Sequence, residues 1–243
     1  MIDNLSAHTT GPRYWAVIPA AGSGSRMAAD IPKQYLLLNG QTVLEHALDV
    51  LLGCTRIHGA VLALSADDRH WQALEARYGD RNLVCVTGGR ARCHSVLNAL
   101  AQLAAEADDT DWVLVHDAAR PCLRAEDVLA LIDTLAPDTD GGLLGIPVSD
   151  TMKRTRPDGE ITGTVNREYL WHAQTPQMFR LGQLRRALEQ VLVQDILVTD
   201  EAAAMELAGY HPRVVRGHAD NIKITVPEDL ALAEFYLGQR KPS

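Results

Sequence analysis

Cysteine is scarce in this chain of 243 residues, and the four present, Cys54, Cys85, Cys93 and Cys122, form no C-x-x-C pair. That spacing suits neither a zinc site nor a small disulfide scaffold, so a reducing compartment is expected. No apolar run approaches the roughly 20 residues needed to span a bilayer. The opening MIDNLSAHTTGPR lacks the basic-then-apolar order of a secretory signal. A soluble, cytoplasmic protein is therefore expected. Positive charge is also in short supply. The formal net charge of −8 argues against non-specific binding to nucleic acid or to an anionic membrane surface. Of the 23 basic residues only Lys33, Lys153, Lys223 and Lys241 are lysines. An anionic ligand would need cations gathered locally.

What is present is a regular alternation. Apolar, β-rich runs at 14–20, 59–65, 82–87, 112–117 and 141–148 are separated by amphipathic stretches at 42–53, 67–78, 91–106 and 125–136. Strands apolar at nearly every position, with helices between them, predict an α/β fold with a mainly parallel sheet covered on both faces. Further strands are expected at 171–179, 212–216 and 221–225, with helices at 181–193 and from about 200. A last helix starts at TVPEDLALAEF, where Thr225 and Glu228 have capping-box spacing and Pro227 sits where a missing N–H costs nothing. Residues 1–13 read as a flexible tail and 14–240 as a single domain. The polar segment 149–170 interrupts the rhythm, with Pro157, Asp158 and Gly159 marking a tight turn. It reads as a hairpin that is either a mobile surface loop or an arm packed on a second subunit of a symmetric dimer.

The stretch AVIPAAGSGSRM followed by PKQY invites a phosphate-binding reading. A dinucleotide fingerprint needs a third glycine, but Met27 follows Gly22 and Gly24, and Glu45 lies in a helical pattern rather than at a strand end. No Walker loop exists in the chain. A turn of small residues whose backbone N–H groups close around a triphosphate fits better, with Arg26 and Lys33 adding a forked and a point charge. Nucleotidyl transfer asks a protein mainly to position and to neutralise.

Other candidates follow along the chain. Asp117 and Arg120, in VHDAARP, sit just past a predicted strand, where ligands bind in open α/β sheets. Asp117 could there accept from a sugar hydroxyl, face Mg²⁺, or simply cap a turn. In ADNIKIT, Lys223 lies between Ile222 and Ile224, either aimed by a strand or guarding a sheet edge. Thr151, Arg167, Thr175 and Thr199 carry no signal individually.

In their order, AVIPAAGSGSRM, PKQY, TVLEHAL, GGRARCHSV, VHDAARP, DTMKR, WHAQTPQ, TDEA and DNIKIT make residues 14–238 resemble the 2-C-methyl-D-erythritol 4-phosphate cytidylyltransferase family. The resemblance implies a single-domain, Rossmann-like nucleotidyltransferase fold with a protruding β-arm. It also implies the joining of CTP to 2-C-methyl-D-erythritol 4-phosphate with release of pyrophosphate and a requirement for Mg²⁺. Arg26 and Lys33 then correspond to transition-state stabilisers, and Arg167 and Lys223 to the pair orienting the substrate phosphate. Ala20, Ala21, Gly22, Gly88, Ser95 and Asp117 match positions around the nucleotide. Asp117, Arg120, Thr151, Thr175 and Thr199 match positions around the sugar phosphate. Asp117 and Asp220 would lie near the metal, and the 149–170 arm would make a homodimer whose partner completes part of each site. Ser25 and Asn166 depart from the expected basic and acidic residues. A cytidylyltransferase for another polyol phosphate, such as ribitol 5-phosphate, is the nearest rival. A silent nucleotide-binding regulator and a structural dimerisation protein are rivals of other classes.

Overall fold

The computed structural model describes residues 11–22 and 31–240; the tail at 1–10, Gly24, Ser25, Arg26, Met27 and Lys241 lie outside the described residues. In chain order the strands are β1 (Tyr14–Pro19), β2 (Leu37–Leu38), β3 (Gln41–Thr42), β4 (Ile57–Leu64), β5 (Leu83–Thr87), β6 (Trp112–Val115), β7 (Gly142–Pro147), β8 (Met152–Thr155), β9 (Ile161–Val165), β10 (Trp171–Arg180) and β11 (Arg213–Arg216). The helices are α1 (Val43–Gly53), α2 (Gln72–Tyr78), α3 (Arg92–Leu103), α4 (Ala125–Leu135), α5 (Leu181–Val193), α6 (Glu201–Leu207) and α7 (Glu228–Gly238).

Seven strands form one sheet in the order β11-β7-β10-β6-β1-β4-β5. β10 runs antiparallel to both neighbours, and the other pairings are parallel. Strand periodicity divides the core into two layers. Ala16 and Ile18 of β1 face one way and pack with Leu44, Leu48, Leu131 and Ile132 of α1 and α4. Trp15 and Val17 face the other way, toward Val96 and Leu100 of α3 and Leu184 and Leu188 of α5. A sheet apolar on both sides must be covered on both sides, as the sequence runs required. The α/β class with a mainly parallel sheet is what the chain adopts. β4 and β5 build outward from one side of β1, whereas β6 returns to its other side. That reversal opens a crevice beyond the carboxyl ends of β1 and β6.

Four expectations need correction. Residues 221–225 are not a strand: Ile224 donates a single bond to the Ala119 carbonyl at 2.8 Å and inserts among Leu38, Val43, Cys122 and Ala233. The isoleucine alternation reflects packing on that small cluster, not a ladder. Helix α2 begins at Gln72, because the Asp68 carboxylate accepts from the His70 and Trp71 N–H groups and holds a turn before it. The expected Thr225–Glu228 box is replaced by Asp229, which accepts from the Thr225 N–H and hydroxyl and from the Val226 N–H. Arg13, assigned to the tail, is tied to the buried Asp111 through its N–H at 2.8 Å and its Nε at 3.0 Å.

The 149–170 segment does form a hairpin, β8 against β9, and residues 152–164 are all exposed. Its turn closes through Gly159 at φ +89°, a conformation side chains resist.

The β7–β11 contact is equally intolerant of a side chain. A Cβ on Gly142 would lie 2.0 Å from the Arg213 carbonyl oxygen, in the facing backbone of β11. Gly142→Ala is expected to cost about 2 kcal/mol or more. A thermal-unfolding midpoint equal to that of the wild type would show that this edge has room to shift.

Candidate active site

At the crevice a cavity of about 250 Å³ opens between the end of β1, the loop after β5 and the loop after β6. Ala20, Ala21 and Gly22 supply one wall, and Gly89 through Arg92 with Ser95 another. Lys33, Asp117 and Lys223 complete it. Small residues at the wall leave backbone groups accessible, as a nucleotide requires. Gly88 permits the close approach beneath them, since a Cβ there would meet the Ala21 Cβ at 2.4 Å and the Ser95 Oγ at 2.8 Å. Ser95 Oγ in turn accepts from the Gly89 N–H at 3.0 Å, which sets the curve of that loop.

Charge is concentrated here against the overall balance of the chain. Lys33, Arg90, Arg92 and Lys223 line the cavity, and Asp117 is the sole carboxylate among the described lining residues. Lys33 Nζ donates to the Ile224 carbonyl at 2.9 Å, so the early lysine is seated beside the residue next to the late one. Asp117 accepts from Arg92 Nε at 2.8 Å through one oxygen and pairs with Lys223 Nζ at 2.8 Å through the other. Arg120 Nε stands 3.7 Å away. Burial alone would raise the Asp117 pKa, but Arg92 and then Lys223 overcome it and hold the carboxyl far below the usual range. Asp117 is thus a carboxylate at any working pH.

Beneath Asp117 lies a directed hydrogen-bond chain. His116 Nε2 faces the Arg120 carbonyl at 3.1 Å, an atom that only accepts, so the proton of the neutral ring is on Nε2. His116 Nδ1 then accepts from the Thr175 hydroxyl at 2.9 Å, whose oxygen accepts from the Asp117 N–H at 3.1 Å. Burial pushes the His116 pKa down to about 4.

A crevice at the strand-order reversal, with small walls and several cations, is built for a phosphorylated nucleotide. The sequence pattern of the 2-C-methyl-D-erythritol 4-phosphate cytidylyltransferase family matches residues 14–239. The chain belongs to that family. It is accordingly a nucleotidyltransferase that carries cytidylyl groups. A 2-C-methyl-D-erythritol 4-phosphate cytidylyltransferase of Pseudomonas putida strain F1 is 54% identical, with 99% of this chain and 100% of that protein aligned. Among solved structures, a 4-diphosphocytidyl-2C-methyl-D-erythritol synthase superposes with a TM-score of 0.81 at 36% identity, over 93% of this chain and 99% of that one. The Thermus thermophilus cytidylyltransferase gives 0.75 at 29% identity, over 92% and 98%.

Other family-matched residues fall elsewhere. Arg26 lies outside the described residues. Thr175 is buried under Asp117 with its hydroxyl engaged by the protein, and does not line the cavity. Arg120 ties the 117–120 loop to the Asn221 carbonyl at 2.7 Å. Thr151 and Arg167 are exposed at the base of the hairpin, and Thr199 is exposed before α6; none lines the cavity of its own chain. Asp220 pairs with Arg124 at 2.7 Å and Arg240 at 3.3 Å and does not line the cavity. Sequence reasoning missed Arg92, Glu201, Gln34 and His116. Gln34 is buried and donates to the Ala20 carbonyl at 2.7 Å, bracing the wall. All four stood within quoted motifs or beside Asp117, but nothing local marked them as partners.

His116 makes stability depend on pH. Its folded pKa of about 4 lies below the ordinary 6.5, so between those values only the unfolded chain takes up this proton. The contribution is complete above pH 6.5 and is lost as pH falls toward 4, on the order of 3 kcal/mol at most. In denaturant titrations, His116→Gln is expected to flatten the loss of stability across this window relative to wild type. Superimposable pH slopes would show that His116 does not titrate as a buried neutral base.

Proposed function

We propose that this cavity joins CTP to 2-C-methyl-D-erythritol 4-phosphate by direct in-line displacement. A phosphate oxygen of the sugar attacks the α-phosphorus, the bond to the β-phosphate oxygen breaks, and pyrophosphate leaves with that electron pair. The attacking phosphate is already ionised at neutral pH, so neither a general base nor a protein nucleophile is needed. What supports the reading above all is that Lys33 and Lys223, distant in sequence, line one cavity, with Lys33 bonded to the carbonyl of Ile224, the residue after Lys223. Lys33 and Arg26 stabilise charge on the reacting phosphorus and the leaving group, and Lys223 and Arg167 orient the sugar phosphate.

Mg²⁺ belongs to this proposal. Asp117 is the carboxylate at hand, and no group of three or more metal-ligating side chains stands together among the described residues. That donor set fits an ion held mostly by nucleotide phosphates and touched by one carboxylate, rather than a protein cage. When bound, the ion would neutralise the triphosphate oxygens.

A homodimer through the hairpin is likewise proposed. Met152, Ile161, Tyr169 and Trp171 are exposed on or beside the arm, an apolar surface suited to cover by a second copy. Thr151 and Arg167, remote from their own cavity, would then serve the partner's. A cytoplasmic location accords with four free cysteines, and no helix among the described residues is long and apolar enough to cross a membrane.

Pyrophosphate release with each nucleoside triphosphate and with methylerythritol phosphate or ribitol 5-phosphate tests the assignment. CTP with methylerythritol phosphate is expected to be the productive pair, and a preference for ribitol 5-phosphate would sink it. Lys33→Ala should lower turnover roughly 10²–10³-fold, the scale for losing one preorganised charge. Near-normal turnover removes Lys33 from the mechanism. Lys223→Ala should impair use of the sugar phosphate, and a defect confined to CTP affinity would contradict its assigned role.

A further inference from the structure

Behind the cavity wall is a carboxyl group that does not line the cavity; burial pushes its pKa up, and the Arg92 guanidinium opposes that shift. Glu201, the first residue of α6, is 1% exposed, and both its oxygens accept from Arg92, at 2.5 Å from Nη1 and 3.0 Å from Nη2. The third edge of the same guanidinium, Nε, donates to Asp117. Charges therefore alternate along a line from Glu201 through Arg92 and Asp117 to Lys223, and only Glu201 lies wholly behind the wall.

The far end of this line is itself anchored. Gln177 of β10, 1% exposed, donates to the Asp200 carboxylate at 3.0 Å and accepts from the Ala202 N–H at 2.8 Å. It thus clasps the residues on either side of Glu201. Asp200 also caps α6 by accepting from the Ala203 N–H at 3.0 Å. Glu201 is fixed to the central sheet, and a forked bidentate pair transmits that fixed direction to Arg92.

Buried ion pairs contribute little net stability over an apolar pair of similar volume, so orientation is the physical use left to this one. Without the Glu201 carboxyl, both terminal nitrogens of Arg92 would lose their protein acceptor beside a phosphate cavity, leaving only Nε held by Asp117. The Arg92 fork would turn from Asp117 toward ligand oxygens, and Lys223 would lose the partner that aims it.

We infer that Glu201 is a positioning residue for the transfer reaction: acting through Arg92, it sets the Asp117 carboxylate and hence the place of the Lys223 ammonium. The inference rests on the reading of this cavity as the nucleotide and sugar-phosphate site. A residue acting only behind Arg92 has a distinctive kinetic signature, because its removal matters only while Arg92 is present.

The experiment uses the full chain as wild type, Glu201→Gln, Arg92→Gln and the double variant, with CTP and methylerythritol phosphate and pyrophosphate as readout. Glu201→Gln is expected to lower kcat about 10-fold or more, the range for losing a group that orients a site ligand. The KM for CTP should stay near the wild-type value. In the Arg92→Gln background the same change should cost nothing further. A folded Glu201→Gln with wild-type kcat overturns the inference, and so do losses that multiply in the double variant. If Glu201→Gln does not fold, Glu201→Asp replaces it. That variant keeps the charge but draws the fork back by one methylene, so lowered kcat is expected and wild-type kcat is fatal. A silent wild type would overturn the functional reading along with this one, whereas an active wild type with indifferent variants overturns this one alone.

Discussion

Asp117 could not keep its charge at this depth without Arg92 and Lys223. Desolvation favours the neutral acid, and two cations at 2.8 Å on separate oxygens reverse that preference. The same contacts fix where the cations sit. One oxygen holds Arg92 and the other Lys223, with Arg120 Nε 3.7 Å from that second oxygen, so the carboxylate acts as a spacer that keeps a guanidinium and an ammonium apart at the wall of one cavity. Mutual repulsion would otherwise drive them out toward solvent.

This arrangement depends on the order of strands. β6 lies beside β1 because the chain reverses direction across the sheet there, and the loops after both strands diverge around the crevice. β10, the antiparallel strand, carries Thr175 under Asp117 and Gln177 against the start of α6. One strand therefore steadies the carboxylate from below and the helix that bears Glu201 from behind. The segment around Lys223 closes the cavity by packing Ile224 into a small cluster with α7, not by joining the sheet.

The fold was largely legible because its signals are local. The apolar runs that become β1, β4 and β6 are mostly buried, β5 is the half-exposed edge strand, and the 181–193 periodicity is helix α5 with the same limits. Errors arose where a local pattern had a non-local cause. Ile222 and Ile224 alternate like a strand, yet Ile224 answers to residues of α1 and α7. Thr225 has capping-box spacing to Glu228, but Asp229 reaches it instead. Lys33, Asp117 and Lys223 were legible because each stands in a compact motif with an evident charge. Arg92 and Glu201 stood in quoted motifs as well, but 109 residues separate them, and no spacing rule links positions so distant.

By itself, the order of residues determined the α/β class and the family to which the chain belongs. Those follow from periodicity and from chemistry within a few neighbouring residues. Only the tertiary structure decided that Thr175 steadies Asp117 from beneath, that Asp220 serves Arg124 and Arg240, and that Glu201 reaches the cavity through Arg92. The physical reason is that a buried charge or hydroxyl is defined by whatever surrounds it in space. Chain connectivity constrains those surroundings only for the nearest few positions.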